Sequence, residues 1–341
     1  MANHHPVVLV VLMLLITSFH SQIIVKAESE DCERGLSCDW IKTDSSSNLV
    51  VIQEITAIWC EICAETDTTI EEFTNQRHQE VVRIAYHPDD GLDYLGNRLS
   101  TRQMWNLGEN PTEAQFPTIW VDGGNKATGP VTNDQLQRTY LKASGQRNSE
   151  DTIQVEYFNR AINLSGDTQN RLEFITTITG GNSDKITLIL KENNVEIDNP
   201  DAYNGITHHN DVAKAGVMIN YDNGTIIFAE PDGAWEIIDW ERNGNISKFE
   251  IFYNYNLSSN PEDDEMMDQK GVVVFSENSD GKIIAAQKLG STNKNVNYDN
   301  ESIIIITSVG IIGIIIATST LNRLKDSKSD NVMIDDAESE E

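Results

Sequence analysis

The chain has 341 residues, of which 39% are hydrophobic, and its formal net charge at pH 7 is -29. This length is enough for two ordinary domains. Because so acidic a chain repels the phosphate backbone of nucleic acids, we expect no nucleic-acid partner.

Residues 1–27 are predicted to be a signal peptide. Val7 to Ile16 is an unbroken apolar run, and Val25-Lys26-Ala27 offers a small-residue cleavage site soon after it. The segment before the run contains His4 and His5 but no Lys or Arg, so an uncleaved signal anchor stays an alternative. Both interpretations place the following residues outside the cytoplasm.

A polar leader, residues 28–46, contains Cys32 and Cys38. Outside the cytoplasm, these two cysteines are expected to form a local disulfide that acts as a structural cross-link. A second redox pair that exchanges with Cys60 and Cys63 is the alternative. Four cysteines allow three pairings, and the sequence alone does not choose among them.

The next feature is a Cys-x-x-Cys motif, Trp59-Cys60-Glu61-Ile62-Cys63, which follows the apolar run from Leu49 to Ile58 and precedes a helix-like segment. A helix N-terminus presents unpaired N–H groups and a positive dipole end, which favour a thiolate. Cys60 is therefore the expected attacking sulfur and Cys63 the resolving one. Half of a zinc site is the alternative, but no second ligand pair has matching spacing. Thiolate attack needs no metal and no organic cofactor, so no cofactor is predicted.

Strand and helix patterns alternate over residues 47–145. They predict strands at Leu49 to Ile58, Val81 to Tyr86 and Phe116 to Val121, helices at Cys60 to Gln76, Gly96 to Leu107 and Asn133 to Ala143, and a hairpin turn at Asp122-Gly123-Gly124. This pattern indicates an α/β sandwich.

Over residues 47–145 the chain resembles the thioredoxin superfamily, through Glu54, the Trp59-Cys60-Glu61-Ile62-Cys63 motif and Phe116-Pro117-Thr118 in that order. The resemblance implies a cis-proline at Pro117, in a loop beside the dithiol that, with Phe116, holds a substrate segment. It also implies that Glu54 is a buried acid that exchanges the proton of the resolving cysteine, and that Trp59 covers the dithiol. The alternatives are a trans-proline at an edge strand, an outward-facing glutamate and a tryptophan that only packs.

Two features limit or extend this resemblance. Glu61-Ile62 stands where the family commonly has Gly-Pro, so the direction of exchange cannot be carried over. Tyr86-His87-Pro88-Asp89-Asp90 resembles the thioredoxin-like segment of bacterial surface proteins that carry a β-domain behind it. His87 could tune or ligate something near the thiols, although an ordinary loop histidine is the simpler interpretation.

After a polar linker at 146–151, residues 152–290 change to a period-two pattern, which predicts an immunoglobulin-like β-sandwich. Hairpin turns are predicted at Asn223-Gly224, Asp232-Gly233, Asn243-Gly244 and Asp280-Gly281. Within this region, His208 and His209 could bind a metal. Because neighbours on a strand point to opposite faces, a structural or surface role is favoured instead.

Five asparagines begin Asn-x-Ser/Thr triplets and are candidate glycosylation sites: Asn163, Asn223, Asn245, Asn256 and Asn300. They lie in the predicted β-domain or in the stalk at 291–301.

Residues 302–321 contain no charge and are isoleucine-rich, which predicts a single transmembrane helix. A buried core helix is the alternative. Arg323, Lys325 and Lys328 follow it, so residues 322–341, an acidic tail, are expected in the cytoplasm. The expected location is the cell membrane, crossed once, with the N-terminal domains extracytoplasmic.

Two functions follow from these expectations. The first is a membrane-anchored thiol-disulfide oxidoreductase, with protein or small thiol and disulfide substrates and a redox partner for turnover. The second is a surface binding or adhesion protein, in which a thioredoxin-like scaffold holds a static Cys60–Cys63 disulfide. A copper-handling dithiol assisted by His87 is a third hypothesis.

Overall fold

The computed structural model describes residues 38–290, except for 47, 148–149, 165–166, 199–201, 203 and 256–269. Three helices occur in these residues: α1 Cys63–Gln76, α2 Arg98–Asn106 and α3 Asn133–Ser144. The strands of the first half are β1 Cys38–Lys42, β2 Val50–Ile55, β3 Val81–Tyr86, β4 Thr118–Val121, β5 Asn125–Thr128, β6 Thr152–Leu164 and β7 Asp167–Thr179. Those of the second half are β8 Lys185–Glu192, β9 Val195–Glu196, β10 His208–His209, β11 Val212–Asn220, β12 Ile226–Glu230, β13 Trp235–Asn243, β14 Ile246–Tyr255, β15 Lys270–Glu277 and β16 Ile283–Gly290.

The fold class expected from the sequence, an α/β thioredoxin-like sandwich followed by an immunoglobulin-like sandwich and a transmembrane helix, is wrong. The structure is mostly β, with 46% strand and three helices in the part of the chain that it describes. No helix among those residues is long and apolar enough to cross a membrane. The predicted signal peptide, stalk, transmembrane helix and tail lie outside the described residues.

Strands β2 to β5 and the three helices occupy the region where strand and helix patterns alternate. β2 runs parallel to β3, with Glu54 opposite Ala85, and β4 pairs antiparallel with the other edge of β2. Helices α1 and α3 contribute apolar side chains such as Phe73 and Leu136 to a core on these strands. The buried residues of α1 recur every three or four positions, as expected of a helix with one packed face.

The sheet of this region does not end at β3, which explains why the separate-sandwich prediction failed. Ala85 of β3 also pairs in parallel with Val212 of β11, so one sheet continues in the order β16-β15-β8-β11-β3-β2-β4-β5. β12 adds to the same edge of β11 further along the strand, where Val217 pairs with Ala229. All six residues of β3 are buried, which fits a strand paired on both sides and covered on both faces.

A second sheet, in the order β1-β6-β7-β14-β13, packs on the β8, β11, β15 and β16 part of the first sheet. The core between them contains the residues whose alternation indicated strands, including Phe174, Leu188, Ile251 and Val274. A sandwich is therefore present, but one of its sheets is shared with the helical region.

Of the four hairpin turns predicted in residues 152–290, three join paired strands, namely those at Gly224, Gly244 and Gly281. The turn at Gly233 differs, because β12 and β13 belong to different sheets. All four glycines have positive φ, the conformation in which glycine avoids the steric penalty of a side chain.

Candidate functional site

Cys60 and Cys63 form a disulfide with a Cα–Cα distance of 5.3 Å. Cys63 is the first residue of α1, and its backbone N–H donates to the carbonyl oxygen of Cys60 at 3.1 Å. The Cys60 residue is 6% exposed and Cys63 is 0% exposed. Cys60 is therefore the more accessible of the two residues.

Aromatic side chains named from the sequence lie against this disulfide. Trp59 and Phe116 pack with Ala57 and the two cysteines, and their rings meet edge to face with centroids 5.0 Å apart. The Trp59 indole N–H donates to Asp90 Oδ2 at 2.9 Å. Trp59 therefore both packs on the disulfide and is fixed in orientation by a carboxylate.

The Phe116–Pro117 peptide bond is cis. Pro117 is buried and immediately precedes β4, the strand next to β2. The structure thus brings Trp59, Phe116 and the disulfide into one cluster, with Pro117 directly following Phe116 in the chain.

Glu54 is fully buried in β2, and its carboxylate is part of an ion-pair cluster. Arg83 Nε on β3 donates to Glu54 Oε2 at 2.6 Å, and the same guanidinium also binds Asp67 of α1. Burial raises the pKa of Glu54 to about 8, with the nearby Asp67 adding to the rise and Arg83 opposing it. Arg83 is thus the cation for both carboxylates. Because it cannot fully neutralise both, Glu54 favours its protonated form.

Asp67 connects this cluster to the helix that carries Cys63. It lies four residues after Cys63, on the same buried face of α1. Besides the Arg83 contact, Asp67 Oδ2 accepts a hydrogen bond from Thr56 Oγ1 at 3.0 Å. The buried charges therefore begin one helical turn from Cys63.

His87, at the end of β3, is completely buried and paired with a carboxylate. Its Nδ1 lies 2.7 Å from Asp93 Oδ2, and that oxygen also accepts from the Ile58 backbone N–H at 3.0 Å. Burial by itself would raise the pKa of Asp93, but the hydrogen bonds and the charge of His87 lower it overall. These contacts therefore favour the ionised form of Asp93.

His209 of β10 faces His87 from a distant part of the chain. The two rings meet edge to face with centroids 4.6 Å apart, and His209 Nε2 is 3.6 Å from Asp67 Oδ2. Burial, reinforced by the charge of His87, lowers the pKa of His209 to about 3. His208, its neighbour, is exposed, so the expectation that the two rings point to opposite faces is confirmed.

The segment that contains β9 and β10 also contacts the loop before Cys60. The Asn204 backbone N–H and side-chain amide donate to the carbonyl oxygens of Ile58 and Ala57, both at 3.3 Å. Val195 and Ile197 pack with Ile58 and Trp59. Residues of the β-rich half thus hold the loop that leads into Cys60.

Sequence reasoning missed Arg83, Asp67, Asp93 and Asn204, and it did not pair His209 with His87. Arg83 had a visible signal, since it is the charged residue in the otherwise apolar and aromatic strand β3. Asp67 had a weaker one, as the carboxylate four residues after the second cysteine. No local sequence pattern indicates the role of Asn204 or the contact between His87 and His209.

The other predicted sites fall in different places. Asn223 and Asn245 are exposed, and Asn163 lies in β6. Cys38 begins β1, whereas Cys32, Asn256 and Asn300 lie outside the described residues. Within the residues that the structure describes, no group of three or more His, Cys, Asp or Glu side chains could hold a metal ion.

No protein-family model matches the chain, and no curated protein is similar to it. Among solved structures, the crystal structure of a protein from Agrobacterium tumefaciens is similar, with 15% sequence identity and a TM-score of 0.40. The similarity covers 73% of this chain and 97% of the Agrobacterium chain.

Proposed function

We propose that the protein is an extracytoplasmic thiol-disulfide oxidoreductase that acts through Cys60 and Cys63. The observation that carries the proposal is the disulfide at the first turn of α1, which has a cluster of buried charges one turn further along the helix. A helix N-terminus stabilises a thiolate, and a buried carboxyl group can exchange its proton. The extracytoplasmic location rests on residues 1–27, where an apolar run precedes a small-residue cleavage site.

In the oxidising direction, a substrate thiolate attacks Cys60 Sγ, which forms a mixed disulfide and breaks the Cys60–Cys63 bond. Cys63 leaves as a thiolate, and Glu54 supplies a proton to it, directly or through its buried neighbours. A second substrate thiolate then attacks the substrate sulfur and releases Cys60 as a thiolate. Two electrons pass from the substrate dithiol to the protein, and a redox partner must remove them for another turnover.

In the reducing direction, Cys60 thiolate attacks a substrate disulfide and Cys63 resolves the mixed disulfide. Cys63 must then lose its proton to the same buried acid. Trp59 and Phe116 supply apolar surface beside the sulfur for a protein substrate.

The competing function is a surface binding protein with a static disulfide, and one observation favours it. Both cysteines are buried, at 6% and 0% exposure, and the residues around Asn204 pack against the adjoining loop. A disulfide enclosed in this way resists attack by an external thiol.

The reduction potential of the Cys60–Cys63 pair separates the two functions. The full-length chain is equilibrated in glutathione buffers, and each thiol is then alkylated and mapped by mass spectrometry. A potential in the range of about -120 to -270 mV supports exchange chemistry. A potential below about -300 mV, with a disulfide inert to external thiols, would refute the oxidoreductase and support the static cross-link.

Trapping of a mixed disulfide provides a second test. In Cys63→Ser, an attacking Cys60 has no resolving partner, so a covalent complex with a thiol substrate should accumulate. Cys60→Ser is the matched control and should accumulate none at Cys63, because Cys63 is fully buried. Equal trapping by both variants would contradict the assigned roles.

A further inference from the structure

The buried histidines belong to a larger charged network beneath the proposed dithiol. His87 and His209 are 0% and 2% exposed, and in the described residues neither Nε2 atom has a hydrogen-bond partner. An unpaired polar atom in such a position costs free energy, so it calls for an explanation. Structural packing alone is served equally well by an apolar side chain.

Contacts on several sides fix the positions of the two histidine rings. Asp93 accepts hydrogen bonds from the backbone N–H groups of Ile58 and Leu95 as well as from His87 Nδ1. The two backbone donors hold the Asp93 carboxylate, and its contact with Nδ1 holds the ring of His87. His209 is held in contact with that ring on one side, and its Nε2 faces Asp67 on the other.

Reduction changes the charge balance of this network. Breaking the disulfide creates a thiolate at Cys63, in a site without solvent and one helical turn from the carboxylate of Asp67. Arg83 is already shared between Asp67 and Glu54, so it cannot neutralise a further negative charge without weakening those contacts. A buried uncompensated charge is costly, and the network must therefore take up a proton.

We propose that His209 is a positioning residue of the dithiol site, and that the His209–Asp67 pair takes up a proton from solvent when substrate thiolates reduce the Cys60–Cys63 disulfide. This inference rests on the proposed oxidoreductase function and deepens it. His209 acts through Asp67, since it belongs to β10 and Asp67 belongs to the helix that begins at Cys63. The proton is shared by coupled groups, so it belongs to the pair and not to one atom.

The charges around His209 come from every element that packs against it. The groups that interact with His209 directly are Arg83 of β3, His87 just after β3, Asp93 of the following loop and Asp67 of α1. Glu54 of β2 is coupled to it through Arg83. Further along its own segment, Asp211 is paired with buried Lys191 and brings no uncompensated charge. A proton gained by the pair thus adds positive charge where the new thiolate adds negative charge.

The test compares His209→Gln with His208→Gln in the full-length chain. His208 is the adjacent residue on the same strand and is exposed, so its variant controls for the substitution itself. Each reduced protein is alkylated with iodoacetamide over a pH series, and the rates at Cys60 and Cys63 are mapped separately. The half-maximal pH in His209→Gln should lie about one unit above that of the unmodified protein and of His208→Gln, because a nearby positive charge favours the thiolate.

Equal pH profiles for His209→Gln and His208→Gln, in folded proteins, would overturn the inference and leave the proposed function intact. If His209→Gln does not fold, the unmodified protein still supplies a test by NMR titration of the ring protons of His87 and His209 in both redox forms. Titrations that are the same before and after reduction would overturn the inference. A disulfide that no thiol can reduce would overturn both the inference and the function.

Discussion

At the scale of single residues, the proton affinities of the buried cluster depend on how many carboxylates share one cation. One arginine faces two buried carboxylates, and the desolvated Glu54 carries the raised pKa. Removing Arg83 would leave two buried acids without a cation, a change that typically costs about 3–5 kcal/mol. The stability of this buried cluster therefore depends on Arg83, which does not itself contact the disulfide in the proposed exchange.

Glu54→Gln should change how the stability of the protein depends on pH. The pKa of Glu54 is raised from 4.5 to about 8 in the folded protein, so between these values the folded state binds a proton that the unfolded state releases. The free energy of unfolding therefore falls as the pH rises through this window in the unmodified protein. Across this window, the unmodified protein should lose on the order of a few kcal/mol of unfolding free energy that Glu54→Gln does not lose. Denaturant unfolding at a series of pH values measures the difference.

Glu61→Gln is the matched control for this measurement. Glu61 is an exposed carboxylate between the two cysteines, so its substitution should leave the pH dependence of unfolding unchanged. A constant difference in stability between Glu54→Gln and the unmodified protein across the window would contradict the prediction.

At the scale of elements, the loop before Cys60 is held by residues that are distant in sequence. Asp93 binds the backbone of Ile58, and Asn204 binds the carbonyl oxygens of Ala57 and Ile58. The β9–β10 segment therefore controls how rigidly the loop covers the disulfide. The β9–β10 segment is part of the β-rich half, whereas the disulfide is part of the helical half.

Asn204→Ala should make the disulfide easier to reduce. The substitution removes the side-chain hydrogen bond to Ala57, which is worth about 1 kcal/mol, while the backbone bond to Ile58 stays. Since 1.4 kcal/mol is a factor of ten, the rate of reduction by dithiothreitol should rise about fivefold if local opening limits attack.

Thr207→Ala tests whether this effect is specific. Thr207 is an exposed residue of the same segment and does not contact the loop before Cys60 through a hydrogen bond that the structure describes. Its reduction rate should equal that of the unmodified protein. Equal acceleration in both variants would mean that any loosening of the segment, and not the Asn204 bond, limits the reaction.

At the scale of the whole described molecule, the helical region and the sandwich share a sheet and several close contacts. Ala85 pairs with Val212 across the β3–β11 junction, and the Ile283 N–H donates to the carbonyl oxygen of Asp122 at 3.1 Å. Arg147 and Asp122 form an ion pair close to this contact. These contacts favour cooperative unfolding of the described residues as one unit.

Gly123→Ala should destabilise that unit, because Gly123 has φ +69° and a Cβ there would lie 2.1 Å from the carbonyl oxygen of Gly281. A loss of about 2 kcal/mol or more is expected from the backbone conformation and the clash. Gly124→Ala is the control, since its nearest neighbour would be the flexible Lys282 side chain at 3.6 Å. Thermal unfolding followed by tryptophan fluorescence and by far-UV circular dichroism should show one shared, lowered midpoint in Gly123→Ala, and equal stability of the two variants would contradict the prediction.

The sequence predicted the local elements of the helical region well. Val81 to Tyr86 matches β3 at both ends, and the helix predicted from Asn133 ends within one residue of α3. Apolar periodicity and turn glycines are local signals, so they locate strands and hairpins. They do not say which strands pair across the chain, and for this reason the continuation of the sheet from β3 to β11 was not predicted.

The candidate site divides in the same way. Cys60, Cys63, Trp59 and Phe116 were identified from spacing and resemblance, and the structure brings them into one cluster. Glu54 was identified too, although its pairing with Arg83 was not. The contribution of His209 could not be foreseen, because a histidine far along the chain gives no local sign of which groups it will face.

By itself, the sequence determined which residues are suited to the proposed thiol-disulfide exchange. They are a dithiol at a helix start, an acid in an apolar strand and the side chains that flank them. Spacing carries this information because helices and strands impose fixed periods on neighbouring residues. Only the tertiary structure decided that Arg83 is shared by two carboxylates, that β3 joins β11, and that His209 reaches the ring of His87. Those outcomes depend on long-range strand pairing and on burial, which no local pattern specifies, and burial is what turns these side chains into a network with altered proton affinities.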